Sequence, residues 1–272
     1  MRLKIKKWDP SNIKQHRIIL LVGRRGSGKS TLMEDILYTT SKNYDLAIAM
    51  SPTEESLAMF RKHIPPACVY DSFSLQKIEE IVAMQKELCR SGKHRSVLIC
   101  LDDCMYDKKI MKSTCIREIH YNGRHLKITF LTAVQYLVDI PCELRTQCDY
   151  VLSLKENILT NKQKLHKYYF GIFDTFNEFS RTLEVVTNNY GAIVLDNTSA
   201  TNDIEKVVYW YRGSLSIPPF RIGSSTFWRL SQKFQLKQGE RAPFAPTRLQ
   251  ERASSSSTLS SGVGQKDQII LC

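Results

Sequence analysis

Residues 18–30, Ile18-Ile19-Leu20-Leu21-Val22-Gly23-Arg24-Arg25-Gly26-Ser27-Gly28-Lys29-Ser30, decide how this chain is read. The first five are continuously apolar, as suits a strand covered on both faces. The next eight match G-x-x-x-x-G-K-[ST] in full, and the pattern from Lys29 to Thr40 is helical. Strand, glycine-rich turn and helix in this order form a cradle for phosphate. Glycines let backbone N–H groups converge on phosphate oxygens, and the helix N-terminus adds its positive end. Gly23, Arg24, Arg25, Gly26, Ser27, Gly28, Lys29, Ser30 and Thr31 are therefore the expected nucleotide-binding set. Lys29 is expected to neutralise the β- and γ-phosphates, and the Ser30 hydroxyl to ligate Mg²⁺.

Two further apolar runs end in polar groups suited to the same chemistry. Val97-Leu98-Ile99-Cys100-Leu101 leads into Asp102-Asp103. Asp102 is expected to hold Mg²⁺ through water, and Asp103 to orient and deprotonate an attacking water. Neither carboxylate is comfortable at a buried strand end without a cation or donors nearby. Lys127-Ile128-Thr129-Phe130-Leu131-Thr132-Ala133-Val134 ends in Gln135, whose amide can bond both a nucleophilic water and a γ-phosphate. Arg124 and Arg145 are the arginines considered for stabilising transition-state charge, delivered from a neighbouring subunit. The interval between Lys29 and Asp102 leaves room for strands at 45–50 and 67–70. That spacing suits the ATPase branch with an additional strand between the two motif strands.

Around these motifs, short β-branched runs alternate with longer amphipathic segments, the pattern of α/β units. Strands are expected at Arg17–Val22, Asp45–Met50, Ala67–Tyr70, Ser96–Leu101, Lys127–Ala133, Asp149–Leu154, Ala192–Leu195 and Lys206–Tyr211. Helices are expected at Lys29–Thr40, Glu54–His63, Ser74–Ser91, Lys108–His120 and, in two pieces, 162–184. The fold class is α/β: a P-loop NTPase of the additional-strand type, with a mostly parallel central sheet flanked by helices. Residues 1–213 form the ATPase domain, and 214–240 an extension packing on or near the core. From 241 to 272 the composition turns serine-rich, and that stretch is read as a disordered tail.

Composition bounds the reading without deciding it. The 272 residues carry a net charge of +12, with 42% hydrophobic and 24% charged residues, which excludes wholesale disorder. The excess of Lys and Arg fits either solubility or a polyanionic partner. Eight cysteines and six histidines complete no zinc spacing. No apolar run reaches the ~18 residues of a membrane span, and the basic start lacks a signal-peptide apolar region, so an intracellular protein is expected.

Taken together, Val22–Leu32, Leu101-Asp102-Asp103-Cys104, Asn122-Gly123-Arg124-His125 with Ile128-Thr129, and Gln135-Tyr136 resemble the DNA-packaging ATPases of nucleocytoplasmic large DNA viruses. These are members of the FtsK–HerA superfamily. Leu144-Arg145 before Asp149-Tyr150-Val151, and Leu195-Asp196-Asn197-Thr198 ahead of Val208–Arg212, extend the resemblance over about residues 15–213. It implies ATP-driven translocation of double-stranded viral DNA into a capsid by a homo-oligomeric ring, with a capsid or portal component as partner. It also implies action in the host cytoplasm at the site of assembly, or in the virion. By this resemblance Lys29 and Ser30 bind ATP and Mg²⁺, Asp102 is the Walker B acid, Asp103 the base, Gln135 the sensor and Arg124 a finger acting in trans. Many superfamily members carry Glu where Asp103 stands, so the shorter side chain must be brought closer by other means. The alternatives are a P-loop nucleotide or nucleoside kinase, and a nucleotide-dependent scaffold that binds DNA or capsid without turnover.

Overall fold

Ile18–Val22 (β2) lies between Ile128–Val134 (β6) and Tyr150–Ser153 (β7), parallel to both, with all five of its residues buried. β6 pairs in parallel with Val97–Asp102 (β5), and β5 with Leu46–Met50 (β3). β3 carries Val69–Tyr70 (β4) on its outer side, also in parallel. On the other flank Ala192–Asp196 (β8) runs antiparallel to β7, and Val208–Tyr211 (β9) antiparallel to β8. Lys6–Lys7 (β1) completes that edge, parallel to β9. The computed structural model describes residues 3–104, 108–136 and 140–241. Within them the strands form one sheet in the order β1-β9-β8-β7-β2-β6-β5-β3-β4.

The additional strand between the two motif strands is β6, which follows both of them in sequence. The segments at 46–50 and 69–70 lie instead beyond β5, so the chain between Lys29 and Asp102 extends the sheet outward and does not supply the inserted strand. The insertion places the carboxyl ends of β2, β6 and β5 side by side, with Val22 opposite Val134 and Ala133 opposite Asp102.

Side chains alternate across the sheet and build two cores. Ile18, Leu20, Ile99 and Phe130 face one side, with residues of Leu75–Arg90 (α3), Thr114–Asn122 (α5), Leu159–Tyr168 (α7) and Phe176–Val186 (α8). Ile19, Leu21, Leu98 and Leu131 face the other, against Lys29–Thr40 (α1) and Glu54–His63 (α2). Coverage on both faces explains why the central strands are apolar without alternation. Cys100, Cys104, Cys115 and Cys148 are buried free thiols, as expected for cysteines used as small hydrophobes.

Three expected boundaries shift for local reasons. The helix expected over 108–120 divides into Lys108–Lys112 (α4) and α5, because Ser113 turns out of the helix and its Oγ accepts the Ile116 N–H. The strand expected from Lys206 begins at Val208, because the Asp203 carboxylate caps a single turn, Ile204–Val207 (α9). Pro65-Pro66 converts the first half of the expected strand at 67–70 into a 3-10 turn over Pro66–Cys68. Among the described residues between β6 and β7 is a short helical turn, Cys142–Arg145 (α6), which has no periodicity to reveal it.

The extension packs on the core through named contacts. Phe220 stacks on His63 with ring centroids 3.8 Å apart, Ile222 is fully buried, and its N–H bonds the His63 carbonyl at 2.8 Å. The Ser224 N–H bonds the Asp45 carbonyl, and the Trp228 Nε1–H bonds the Ile222 carbonyl. The chain then runs as a helix, Ser225–Arg241 (α10), on which Phe234 is exposed. The serine-rich tail, from residue 242 onward, lies outside the described residues.

Leu20 is fully buried at the centre of this arrangement. Leu20→Ala is expected to destabilise the chain by about 3 kcal/mol, the usual cost of a large-to-small change in a core that cannot collapse. Chemical denaturation reads this as a lower midpoint at unchanged slope.

Candidate active site

The cradle begins where β2 ends. A side chain at Gly23 would meet Ser27 Oγ at 2.6 Å and Leu154 at 2.9 Å, so only glycine lets the loop turn there. Gly26 and Gly28 have φ of 75° and 97°, left-handed conformations that L side chains rarely adopt, and Gly28 leads directly into α1. Ser27 ties the loop to itself through a 2.7 Å bond from its Oγ to the Arg24 carbonyl. Lys29 is buried, its Nζ donating to the Gly23 carbonyl at 2.9 Å and standing 3.6 Å from Asp103 Oδ1.

Both carboxylates lie across from this ammonium. Asp102 is only 3% exposed, and Ser56 Oγ, in the first turn of α2, donates a short bond to its Oδ2. Oδ1 of Asp102 is buried without a partner. Burial pushes the Asp102 carboxyl above its ordinary range; Ser56 opposes this, the adjacent Asp103 reinforces it, and Lys29 opposes it. Asp103 has φ of 51°, left-handed for a non-glycine residue. In that conformation it faces Lys29 with one oxygen, while Gln135 Nε2 donates to the other at 2.9 Å. The side chains expected to act as cradle lysine, base and sensor are thus in direct contact.

These groups line one open cleft of about 710 Å³. Arg24, Arg25, Gly26, Gly28, Lys29, Ser30 and Thr31 form its floor, and Asp102, Asp103 and Gln135 one wall. The unpartnered Asp102 oxygen and the Ser30 hydroxyl belong to residues lining the same cleft, and hard oxygen donors of this kind fit Mg²⁺. Among the described residues no cluster of three or more His, Cys, Asp or Glu could hold a metal ion. Mg²⁺ bound by one or two protein oxygens together with substrate phosphates needs no such cluster.

The two arginines fall elsewhere. Arg124 is exposed in the turn before β6, at the opposite edge of the sheet, where it lines a polar cavity of about 280 Å³ with Arg17 and Asp149. The whole length of β6, seven residues and roughly 20 Å, lies between it and Gln135, so it cannot reach the cleft of its own chain. Gly123 holds this turn close: a Cβ there would lie 2.4 Å from the Ile119 carbonyl oxygen. The expectation for Arg145 needs correction. It is 8% exposed, its guanidinium lies 3.9 Å over the Tyr168 ring, and Nη1 reaches Cys142 Sγ. A guanidinium committed inside the chain is not placed to stabilise charge in this cleft or in another subunit.

Several lining residues carried no sequence signal. Glu54, Glu55 and Ser56 join the cleft from the start of α2, and Asn189, Tyr190, Arg212 and Leu215 form its far wall. Ser56 is an ordinary helix-start serine, visible only once β3 and β5 are paired. The run Asn188-Asn189-Tyr190-Gly191 does carry turn chemistry that could have marked it.

Residues 6–189 match the family described as Poxvirus A32 protein. The chain belongs to that family. Among its relatives, the uncharacterized protein 088R of invertebrate iridescent virus 3 is 30% identical over 194 residues, covering 71% of this chain and 74% of the relative. The uncharacterized protein 015R of frog virus 3 is 29% identical over 83% of this chain and 70% of its own length. Among solved structures, the genome packaging NTPase B204 of Sulfolobus turreted icosahedral virus 2, in complex with ATP-gammaS, superposes with a TM-score of 0.56 at 17% identity. The match covers 75% of this chain and all of that one. A likeness at that identity supports the P-loop ATPase fold described above.

The raised Asp102 carboxyl has a consequence for stability. The folded chain keeps that proton to higher pH than the unfolded chain, whose aspartate sits near 3.8. Stability from this group therefore falls as pH rises from near 3.8 through the raised value, and the charged form carries the full burial cost above it. In a metal chelator at pH 7, Asp102→Asn is expected to raise the melting temperature by about 2–4 °C and to flatten this pH dependence. Thermal scans of the two proteins from pH 4 to 8 check it.

Proposed function

We propose that this member of the Poxvirus A32 family is an ATP-hydrolysing motor that moves double-stranded viral DNA into a capsid. The observation that carries the reading is the contact of Asp103 with both Lys29 and Gln135 across the carboxyl ends of β5 and β6. Family membership and the fold shared with a viral genome packaging NTPase support the same conclusion.

The chemistry follows from the residues. Backbone N–H groups of residues 24–29 and the Lys29 ammonium bind the β- and γ-phosphates of ATP. Ser30 and Asp102 would hold Mg²⁺, which when bound neutralises phosphate charge. Gln135 orients a water against the γ-phosphorus, and Asp103 takes its proton as the new P–O bond forms and the bond to the β–γ bridging oxygen breaks. The left-handed backbone at Asp103 brings the short carboxylate to the place a longer glutamate would reach from a regular strand end. Arg124, exposed on the far edge, stabilises the developing charge in the cleft of a neighbouring subunit. A ring in which each cleft meets the next subunit's Arg124 edge accounts for a catalytic group placed outside its own site. The +12 charge suits a subunit that adds phosphate contacts to a shared DNA channel. No helix among the described residues is long and apolar enough to cross a membrane.

A phosphate-transferring kinase is the weaker reading, because Gln135 and Asp103 are arranged around the place of a water rather than of an acceptor hydroxyl. Incubation with ATP and nucleoside monophosphates separates the two: free phosphate is expected, and a phosphorylated acceptor would overturn the motor. Asp103→Asn is expected to retain ATP binding while hydrolysis falls by about 10²–10⁴-fold, the usual contribution of a general base. Near-native turnover would remove Asp103 from that role. Arg124→Ala subunits should lose hydrolysis by about 10³-fold or more. Mixing with Lys29→Ala subunits, which keep Arg124, should restore part of it; no recovery at any mixing ratio would place Arg124 outside the interface.

A further inference from the structure

The far wall of the cleft has a construction that phosphate binding does not explain. Asn189 and Tyr190 have φ of 51° and 60°, two consecutive non-glycine residues in the left-handed region. A bulky aromatic residue in that conformation is costly and persists only where its surroundings over-determine it. Here they do. A Cβ on Gly191 would lie 2.1 Å from the Val186 carbonyl oxygen, so the chain after Tyr190 passes too close to α8 for any other residue. Arg212, at the end of β9, donates from Nη2 to the Asn188 carbonyl at 3.3 Å. The turn is thereby held from both sides.

What the strain achieves is the display of a ring. Tyr190 is 69% exposed although it lines the cleft, and it stands over the cradle, 3.3 Å from where a Cβ of Gly28 would be. Leu215, on the segment after Arg212, also lines the cleft and is 93% exposed. That segment is anchored against α1, since a Cβ on Gly213 would lie 3.1 Å from Leu32 Cα. An exposed aromatic ring and an exposed aliphatic side chain thus flank one end of the cleft.

Strand order says which end of the substrate reaches them. The water-activating pair Asp103 and Gln135 belongs to β5 and β6, on one flank of β2. The Asn188–Gly191 turn enters β8 and Arg212 leaves β9, on the opposite flank, and both lie at the carboxyl edge because β8 runs antiparallel to β7. With the γ-phosphate at Asp103, the nucleoside extends from the cradle toward Tyr190 and Leu215.

We propose that Tyr190 is the base-stacking residue of this site, presented by the strained Asn189-Tyr190 turn and backed by Arg212, so that the nucleobase lies against its ring on the Leu215 side of the cleft. This rests on the nucleotide reading of the cradle. Stacking on a tyrosine face accepts any base without reading its edge, and its loss weakens binding by about ten-fold or more.

The test measures binding of Mg·ATP and of Mg·tripolyphosphate, which lacks a nucleoside, to the full chain and to its Tyr190→Ala and Tyr190→Phe variants. Tyr190→Ala is expected to weaken ATP by about ten-fold or more while leaving tripolyphosphate within two-fold, and Tyr190→Phe to bind ATP as the parent does. Unchanged ATP affinity in Tyr190→Ala overturns the proposal. Equal weakening of both ligands also overturns it, since that marks damage to the cradle. A parent protein that binds neither ligand overturns the nucleotide reading itself, a result distinct from a failure of the stacking role.

Discussion

The whole site depends on one strand being placed between two others. Hydrogen bonding sets neighbouring strands about 4.8 Å apart, so inserting β6 between β2 and β5 sets the backbone ends of those two strands about 10 Å apart, a gap that the Lys29 and Asp103 side chains span to meet at 3.6 Å. With one strand between them, the gap opens as the cleft lined by Lys29, Ser30, Asp102 and Asp103, and the inserted strand delivers Gln135 from between. The backbone register, with Val22 opposite Val134 and Asp102 opposite Ala133, fixes all three strand ends at one level.

The energetic cost of that placement is visible in the groups themselves. Asp102 is buried with one oxygen unpaired, Asp103 and the Asn189-Tyr190 turn hold left-handed backbones, and Lys29 is drawn down onto its own loop. Each is unfavourable taken alone, and all of them border one cleft. The rest of the sheet is conventional: apolar, close-packed and covered on both faces. Stability comes from the two cores, and the site uses part of it to keep charged and strained groups where phosphate chemistry needs them.

Much of this was legible in the amino-acid sequence, and the limits have physical causes. Gly23–Ser30 and Asp102-Asp103 were readable because phosphate binding demands particular residues at fixed spacing. Gln135 was readable because a polar residue ending a buried apolar run is conspicuous. The meeting of Gln135 with Asp103 was not, since it depends on strand order. Arg145 illustrates the opposite failure: an arginine near the right strand lies under Tyr168, and only tertiary packing shows it. Ser56 has no local signature, because its partner Asp102 is distant in sequence and joined to it only through the pairing of β3 with β5. β1 is two exposed lysines, without any apolar pattern from which a strand could be read.

Arg124 and the cleft lie at opposite edges of the chain, so the proposed role of Arg124 requires a neighbouring subunit to complete each site. Electron microscopy of the protein with duplex DNA and a non-hydrolysable ATP analogue tests this most directly. A closed ring around the duplex is expected, with the Arg124 turn of each subunit against the Lys29 cleft of the next. Monomers binding nucleotide away from DNA, or a ring whose interfaces leave Arg124 in solvent, would contradict it.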